Sequence, residues 1–189
     1  MARPTVRRRA LATAALLVVG VSIGPAVSAS APAGEAVPVL SEVRIARHAT
    51  FDRVVFEFTG DVVPEATING PRANAPDAVL ADPSGFPVIV DGAQVLTVSM
   101  SPAIATYAAS MPPGPLYSGP NTFSPTETAN VVHVVLTGDF ESVLTWAIGF
   151  RITAVPQVSV LTGPSRVVVD IPHTAVPAQP AAGAPTFTG

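Results

Sequence analysis

The stretch "FDRVVFEFTGD", residues 51 to 61, decides how this chain is read. Its core, Arg53-Val54-Val55-Phe56-Glu57-Phe58, returns near the end as Arg166-Val167-Val168-Val169-Asp170-Ile171. In a strand, successive side chains point to opposite faces. Arg53, Val55 and Glu57 then share one face, and Val54, Phe56 and Phe58 share the other. The second copy sorts alike, with Arg166, Val168 and Asp170 against Val167, Val169 and Ile171. Each strand offers one apolar face to a core and one mixed face to solvent.

Residues four apart on a strand are about 13 Å apart, so Arg53 cannot reach Glu57 along its own strand. If the two strands are antiparallel neighbours with Val55 opposite Val168, Arg53 faces Asp170 and Glu57 faces Arg166. A parallel alignment would oppose like charges. The expected arrangement is therefore antiparallel, with two cross-strand ion pairs of about 0.2 to 1 kcal/mol each helping to set the register. A sharper reading makes Arg53 and Arg166 part of a ligand-binding face as well.

Outward from these strands, short β-rich runs alternate with turn signals at Thr59-Gly60-Asp61, Asn69-Gly70-Pro71, Asp82-Pro83-Ser84-Gly85, Asp91-Gly92, Gly138-Asp139 and Gly163-Pro164. Strands are expected at 43 to 48, 53 to 59, 65 to 69, 87 to 90, 94 to 100, 131 to 137, 142 to 150, 157 to 161 and 166 to 172. This spacing predicts an all-β antiparallel sandwich or barrel-like domain over residues 41 to 173. Within it, "PVIVDGAQVLTV" reads as a hairpin with a type I′ turn at Asp91-Gly92. Residues 103 to 111 read as a short helix, and the proline-rich run that follows, through residue 125, as an irregular loop.

The ends differ from this unit. The first nine residues carry four arginines and no acid, and an apolar run from Ala10 to Gly24 and small residues follow, which is the pattern of an export signal. The apolar run is shorter than the ~20 residues needed to span a bilayer. Cleavage after Ala29 is expected, with Ala31 the alternative, leaving no stable membrane anchor. Arg7-Arg8-Arg9 resembles a twin-arginine signal, but Ala10 stands where a large apolar residue is usual, so both export routes fit. Residues 30 to 40 read as an Ala/Pro-rich linker, and residues 174 to 189 as a disordered Pro/Ala-rich tail.

The chain has no cysteine, which excludes disulfides, a lipid-modified cysteine and a cysteine metal site. Beyond residue 29 there are six arginines, no lysine and 13 acids, a net charge of about −7. So acidic a chain has no electrostatic footprint for nucleic acid or anionic lipid.

Four blocks, "VRIARHATFDRVVFEFTGD", "ADPSGFPVIVDGAQVLTVSMSP", "GDFESVLTWAIGF" and "LTGPSRVVVDIP", together resemble the AMIN-like domain of exported actinobacterial proteins, a relative of the AMIN domain of cell-wall amidases. The resemblance covers nearly all of residues 41 to 173, with the blocks in the family's order. It implies an antiparallel β-sandwich, a non-catalytic role, and association with peptidoglycan or envelope machinery. Many AMIN-like relatives are lipoproteins; this chain has no cysteine to lipidate.

Catalytic readings find little support. No Gly-x-Ser-x-Gly is present, and Ser84 and Ser118 lie in proline-flanked turns. His48, His133 and His173 lack metal-ligand spacing. Asp139 and Glu141 form a nearby carboxylate pair of the type glycosidases use, but their turn context favours a structural role. No enzyme activity, cofactor or metal is expected. Trp146 falls in the alternating run Leu144, Trp146, Ile148, Phe150 and reads as core. Tyr107, Tyr117 and Phe123, in or beside the irregular loop, are the candidates for stacking on sugar rings. The leading expectation is an exported envelope module that binds cell-wall polymer or an envelope protein. The alternatives are a carrier of a small apolar ligand and, last, a hydrolase.

Overall fold

Strand alternation is the organising feature of the computed structural model, which describes residues 37 to 106 and 116 to 175. Among these residues nine strands run in order: β1 (Leu40–Arg47), β2 (Phe51–Phe58), β3 (Glu65–Ala73), β4 (Gln94–Ser101), β5 (Thr122–Phe123), β6 (Val131–Phe140), β7 (Val143–Phe150), β8 (Gln157–Leu161) and β9 (Ser165–Pro172). They form two antiparallel sheets, ordered β1-β2-β9-β8 and β3-β4-β7-β6-β5, which are not closed into a barrel. There is no helix among the described residues. The export signal and nearly all of the tail lie outside them, as do residues 107 to 111 of the expected helix. That helix does not start where expected, because Ile104 bridges to Val39 in parallel fashion.

The sandwich follows from which alternate residues are buried. Val54, Phe56 and Phe58 of β2 and Val167, Val169 and Ile171 of β9 face Leu96, Val98 and Met100 of β4 and Leu144, Trp146, Ile148 and Phe150 of β7 in one contiguous core. Trp146 sits among three rings, with centroids 5.6 Å from Phe56, 6.3 Å from Tyr117 and 6.2 Å from Phe123. Burying side chains of this size contributes about 1.5 to 3 kcal/mol each before the entropy of ordering is counted. The fold starts earlier than expected: Leu40 is fully buried and opens β1, inside the stretch read as linker.

The expected strand at 87 to 90 and its Asp91-Gly92 hairpin do not form. β4 already has β3 on one edge and β7 on the other, so no edge is left for residues 87 to 90. Residues 74 to 92 instead fold as a flap over the outer face of the five-stranded sheet. Val79, Val88 and Val90 pack on Val95, Ala147 and Val135 in a second, smaller core. The flap is narrowed by Val88 N–H donating to Val79 O and Ala81 N–H donating to Phe86 O, and its neck is held by Asn74 Nδ2 donating to Val90 O and Gly92 O. It presses so closely on β7 that a Cβ at Gly149 would fall 1.9 Å from Asp91 O. The position demands glycine because backbone meets backbone there.

The type I′ geometry lies elsewhere, at Glu141-Ser142 between β6 and β7, where φ is 50° and 62°. Neither residue is glycine or asparagine, so the turn carries strain of order 1 kcal/mol or more.

At the opposite end, Asp52 joins the two sheets. Its carboxylate is fully buried and accepts backbone N–H groups from Ala129 (3.1 Å), Asn130 (2.6 Å) and Val131 (2.9 Å), with His173 Nε2 2.9 Å away. Burial pushes this carboxyl up, but the bonds from Asn130, Val131, His173 and Ala129 outweigh it, and the result lies below the ordinary carboxylate range. Asn130 extends the tie by donating to Pro172 O and accepting from the N–H groups of Arg151 and Ile152.

Two tests follow from these ends. Glu141→Asn with Ser142→Gly should raise stability by about 1 kcal/mol in urea unfolding; an unchanged or lower midpoint would mean the turn holds no such strain. Asp52→Asn should cost roughly 2 to 3 kcal/mol at pH 7, since a charge-assisted set of bonds is lost. A depressed carboxyl stabilises the fold above its unfolded value of about 3.9 and loses that contribution as pH falls through its folded value. The gap between wild type and Asp52→Asn should therefore close below about pH 4, and a gap independent of pH would show that the ionised form is not what holds the sheets.

Candidate functional site

A sandwich has two outer faces, and here they differ. The flap roofs the face of the five-stranded sheet, whereas the outer face of the four-stranded sheet is bare among the described residues. That bare face carries the repeated motif. Strand register arranges it in three rows, each crossing β1, β2, β9 and β8. They are Ala46–Arg53–Asp170–Gln157, Arg44–Val55–Val168–Ser159 and Glu42–Glu57–Arg166–Leu161.

In the first row Arg53 holds Asp170 through both carboxylate oxygens, Nε to Oδ1 and Nη2 to Oδ2, each at 2.7 Å. The guanidinium also lies 5.1 Å from the ring centroid of Phe51, whose ring stacks on His48. The bond to Asp170 raises the Arg53 pKa against the opposing effect of burial. Bidentate pairing of this kind fixes orientation as well as charge.

The third row departs from expectation. Val55 lies opposite Val168 and Glu57 opposite Arg166, yet Glu57 makes its ion pair with Arg44 at 2.7 Å. Glu42 is the reason. It sits beside Glu57 in the same row, and Arg44 bonds to both carboxylates and neutralises their repulsion. The Glu57 hydrogen bond, ahead of that to Glu42, raises the Arg44 pKa despite burial. Arg166 is left with Nε donating to Pro164 O, at 3.2 Å, and has no acid partner among the described residues.

Beside the first row lies a shallow depression of about 290 Å³ lined by Thr50, Phe51, Gln157, Asp170, Pro172 and Thr174. Hydroxyl, amide and carboxylate groups there stand among apolar walls, a mixture suited to a polyhydroxylated ligand. Sequence reasoning missed Thr50, Gln157 and Thr174, since only folding brings the strand ends together. The row arithmetic that placed Asp170 opposite Arg53 would also have found Gln157, had the β8–β9 hairpin been followed outward.

The aromatic candidates lie elsewhere. Tyr117 is buried, its ring edge-on to Trp146 and its hydroxyl donating to Pro120 O at 2.8 Å. Burial, and then the Glu42 charge, push its pKa up. Phe123 is half-buried against the same core. Tyr107 lies outside the described residues. The residues weighed for catalysis are dispersed. His173 meets Asp52, His133 Nδ1 accepts from Asp91 N–H, and His48 stacks on Phe51. Asp139 Oδ2 accepts from the N–H groups of Ala105 and Thr106 and from the Thr106 hydroxyl, while Glu141 sits in the turn. No group of three or more such residues that could hold a metal ion occurs among the described residues.

No curated protein and no solved structure matches the chain significantly. The profile of the AMIN-like domain family matches residues 38–173, well over half of the sequence and nearly all of the described fold. The two-sheet sandwich, with its repeated Arg-Val-Val strands paired at the centre of one sheet, belongs to a member of the AMIN-like domain family.

Proposed function

We propose that this chain is an exported, non-catalytic module of the cell envelope, and that it holds a cell-wall polymer, peptidoglycan in the first instance, on the bare face of its four-stranded sheet. The single observation that carries the reading is the asymmetry of the sandwich: one outer face is roofed by the flap and the other is left open. Membership of the AMIN-like family supports an envelope role. The arginine-rich start of the chain and the apolar run after it support export.

The roles on this face divide by what each side chain already holds. Arg166 offers a guanidinium to the carboxylates of wall peptides. Thr50, Gln157 and Thr174 offer hydrogen bonds to sugar hydroxyls. Arg53 keeps Asp170 and Phe51 in place beside them. The contiguous core around Trp146 weighs against a carrier that would hold an apolar ligand between the sheets.

The full chain, purified in its exported form, should sediment with insoluble peptidoglycan in a salt-sensitive way. Arg166→Ala and Gln157→Ala should each cut the retained fraction severalfold with unfolding midpoints unchanged. Failure of the folded wild type to sediment, or retention of both variants at the wild-type level, would sink the wall-binding reading and turn attention to an envelope protein as partner.

A further inference from the structure

A sheet edge exposes unpaired N–H and C=O groups and is normally blunted by charge, proline, irregularity or shortness. Three of the four edges here are blunted. β1 carries Glu42, Arg44 and Arg47 and has a register shift between Leu40 and Glu42. β3 is interrupted between Asn69 and Arg72, where Pro71 has no N–H to donate. β5 is two residues long. The side of the sandwich by β1 is also closed, since Leu40 N–H donates to Ile104 O and Ile104 N–H to Pro38 O.

β8 has none of these devices. Gln157-Val158-Ser159-Val160-Leu161 contains no charge and no proline, and it pairs with β9 without irregularity. Val160 is 53% exposed and Leu161 40%. Along its other edge, which no described strand pairs with, runs an open groove of about 570 Å³, bounded on the far side by Val63 to Thr67 at the start of β3.

We infer that β8 pairs with β8 of a second copy of this chain, antiparallel about a two-fold axis through Ser159, joining two four-stranded sheets into one of eight strands. The strand is self-complementary in that register. Ser159 meets Ser159, Val158 meets Val160, and Gln157 meets Leu161, so no charge opposes another and two β-branched pairs form. The charges farther out are complementary in sign. Leu161 is continued inward by Arg166, and Gln157 by Asp170. Each outer row at the junction therefore runs from Arg166 of one copy, through Leu161 and then Gln157 of the second copy, to that copy's Asp170. Opposite charges stand at its ends, three strand spacings or about 14 Å apart. For a chain with so large an excess of acids, a contact between copies has to avoid opposing carboxylates, and the two paired strands carry none. The inference does not rest on wall binding.

The absence of cysteine makes the register testable with one thiol at a time. In the full chain purified in its exported form, Ser159→Cys would bring two sulfurs to directly opposed positions, whose Cα separation of about 4.5 to 5.5 Å a disulfide spans. Gln157→Cys would leave its two thiols offset by four residues, about 13 Å along the strand. Ser159→Cys should therefore oxidise to a covalent dimer far faster than Gln157→Cys. In sedimentation equilibrium the wild-type mass should rise from monomer towards dimer over about a hundredfold range of concentration. The outward amides of β8 should exchange more slowly at the upper end of that range. Ser159→Lys, which opposes two like charges on an exposed position, should weaken association severalfold while leaving the unfolding midpoint of the monomer unchanged. A mass that stays monomeric throughout, equal oxidation of the two cysteine variants, or a dimer whose β8 amides exchange as in the monomer would each overturn the inference. An extended peptide of another protein added to this edge would give the first of these results.

Discussion

The antiparallel register of β2 and β9, with Val55 opposite Val168, is the constraint on which the rest depends. It puts Val54, Phe56, Val167 and Val169 together on the inner side, where they meet β4 and β7, and it puts Arg53 against Asp170 on the outer side. A slip of one residue would turn every one of these side chains to the wrong face. The same register carries Asp52 into the sandwich at one end, where it reaches the backbone of residues 129 to 131 and couples the two sheets. Packing holds the sheets together over their area, and Asp52 fixes how they meet at that end.

The division between the two outer faces follows from sequence length between strands. The long connection between β3 and β4 supplies the flap, and its valines cover Val95 and Ala147 on the five-stranded sheet. The connections within the four-stranded sheet are short, so nothing among the described residues folds back over it. That face is mixed in character, with a half-buried Val55 and a buried Val168 in its middle row and charged groups on either side.

Much of this was legible in the sequence where a single strand's alternation was enough. The two Arg-Val-Val strands, their inward faces, the cross-strand Arg53–Asp170 pair and the core position of Trp146 all follow from a period of two. What was not legible depended on a third element. Residues 87 to 90 have strand-like composition, but whether they pair is decided by β3 and β7 having taken both edges of β4. Glu57 was matched to Arg166 without reference to Glu42, which lies one strand away and redirects it to Arg44. The burial of Tyr117 among proline-rich neighbours depends on Trp146 being in front of it, and no local pattern records that. The strained Glu141-Ser142 turn was hidden for the opposite reason, because its residues lack the glycine or asparagine that normally marks such a turn.

The position of Trp146 has a spectroscopic consequence. It is the only tryptophan, and it lies in the five-stranded sheet with its ring 5.6 Å from Phe56 of the other sheet. Its emission is thus a built-in gauge of the separation of the two layers: water reaching the indole would shift the signal to the red as the sandwich opens, whereas changes confined to the bare face or the β8 edge would leave it dark to them.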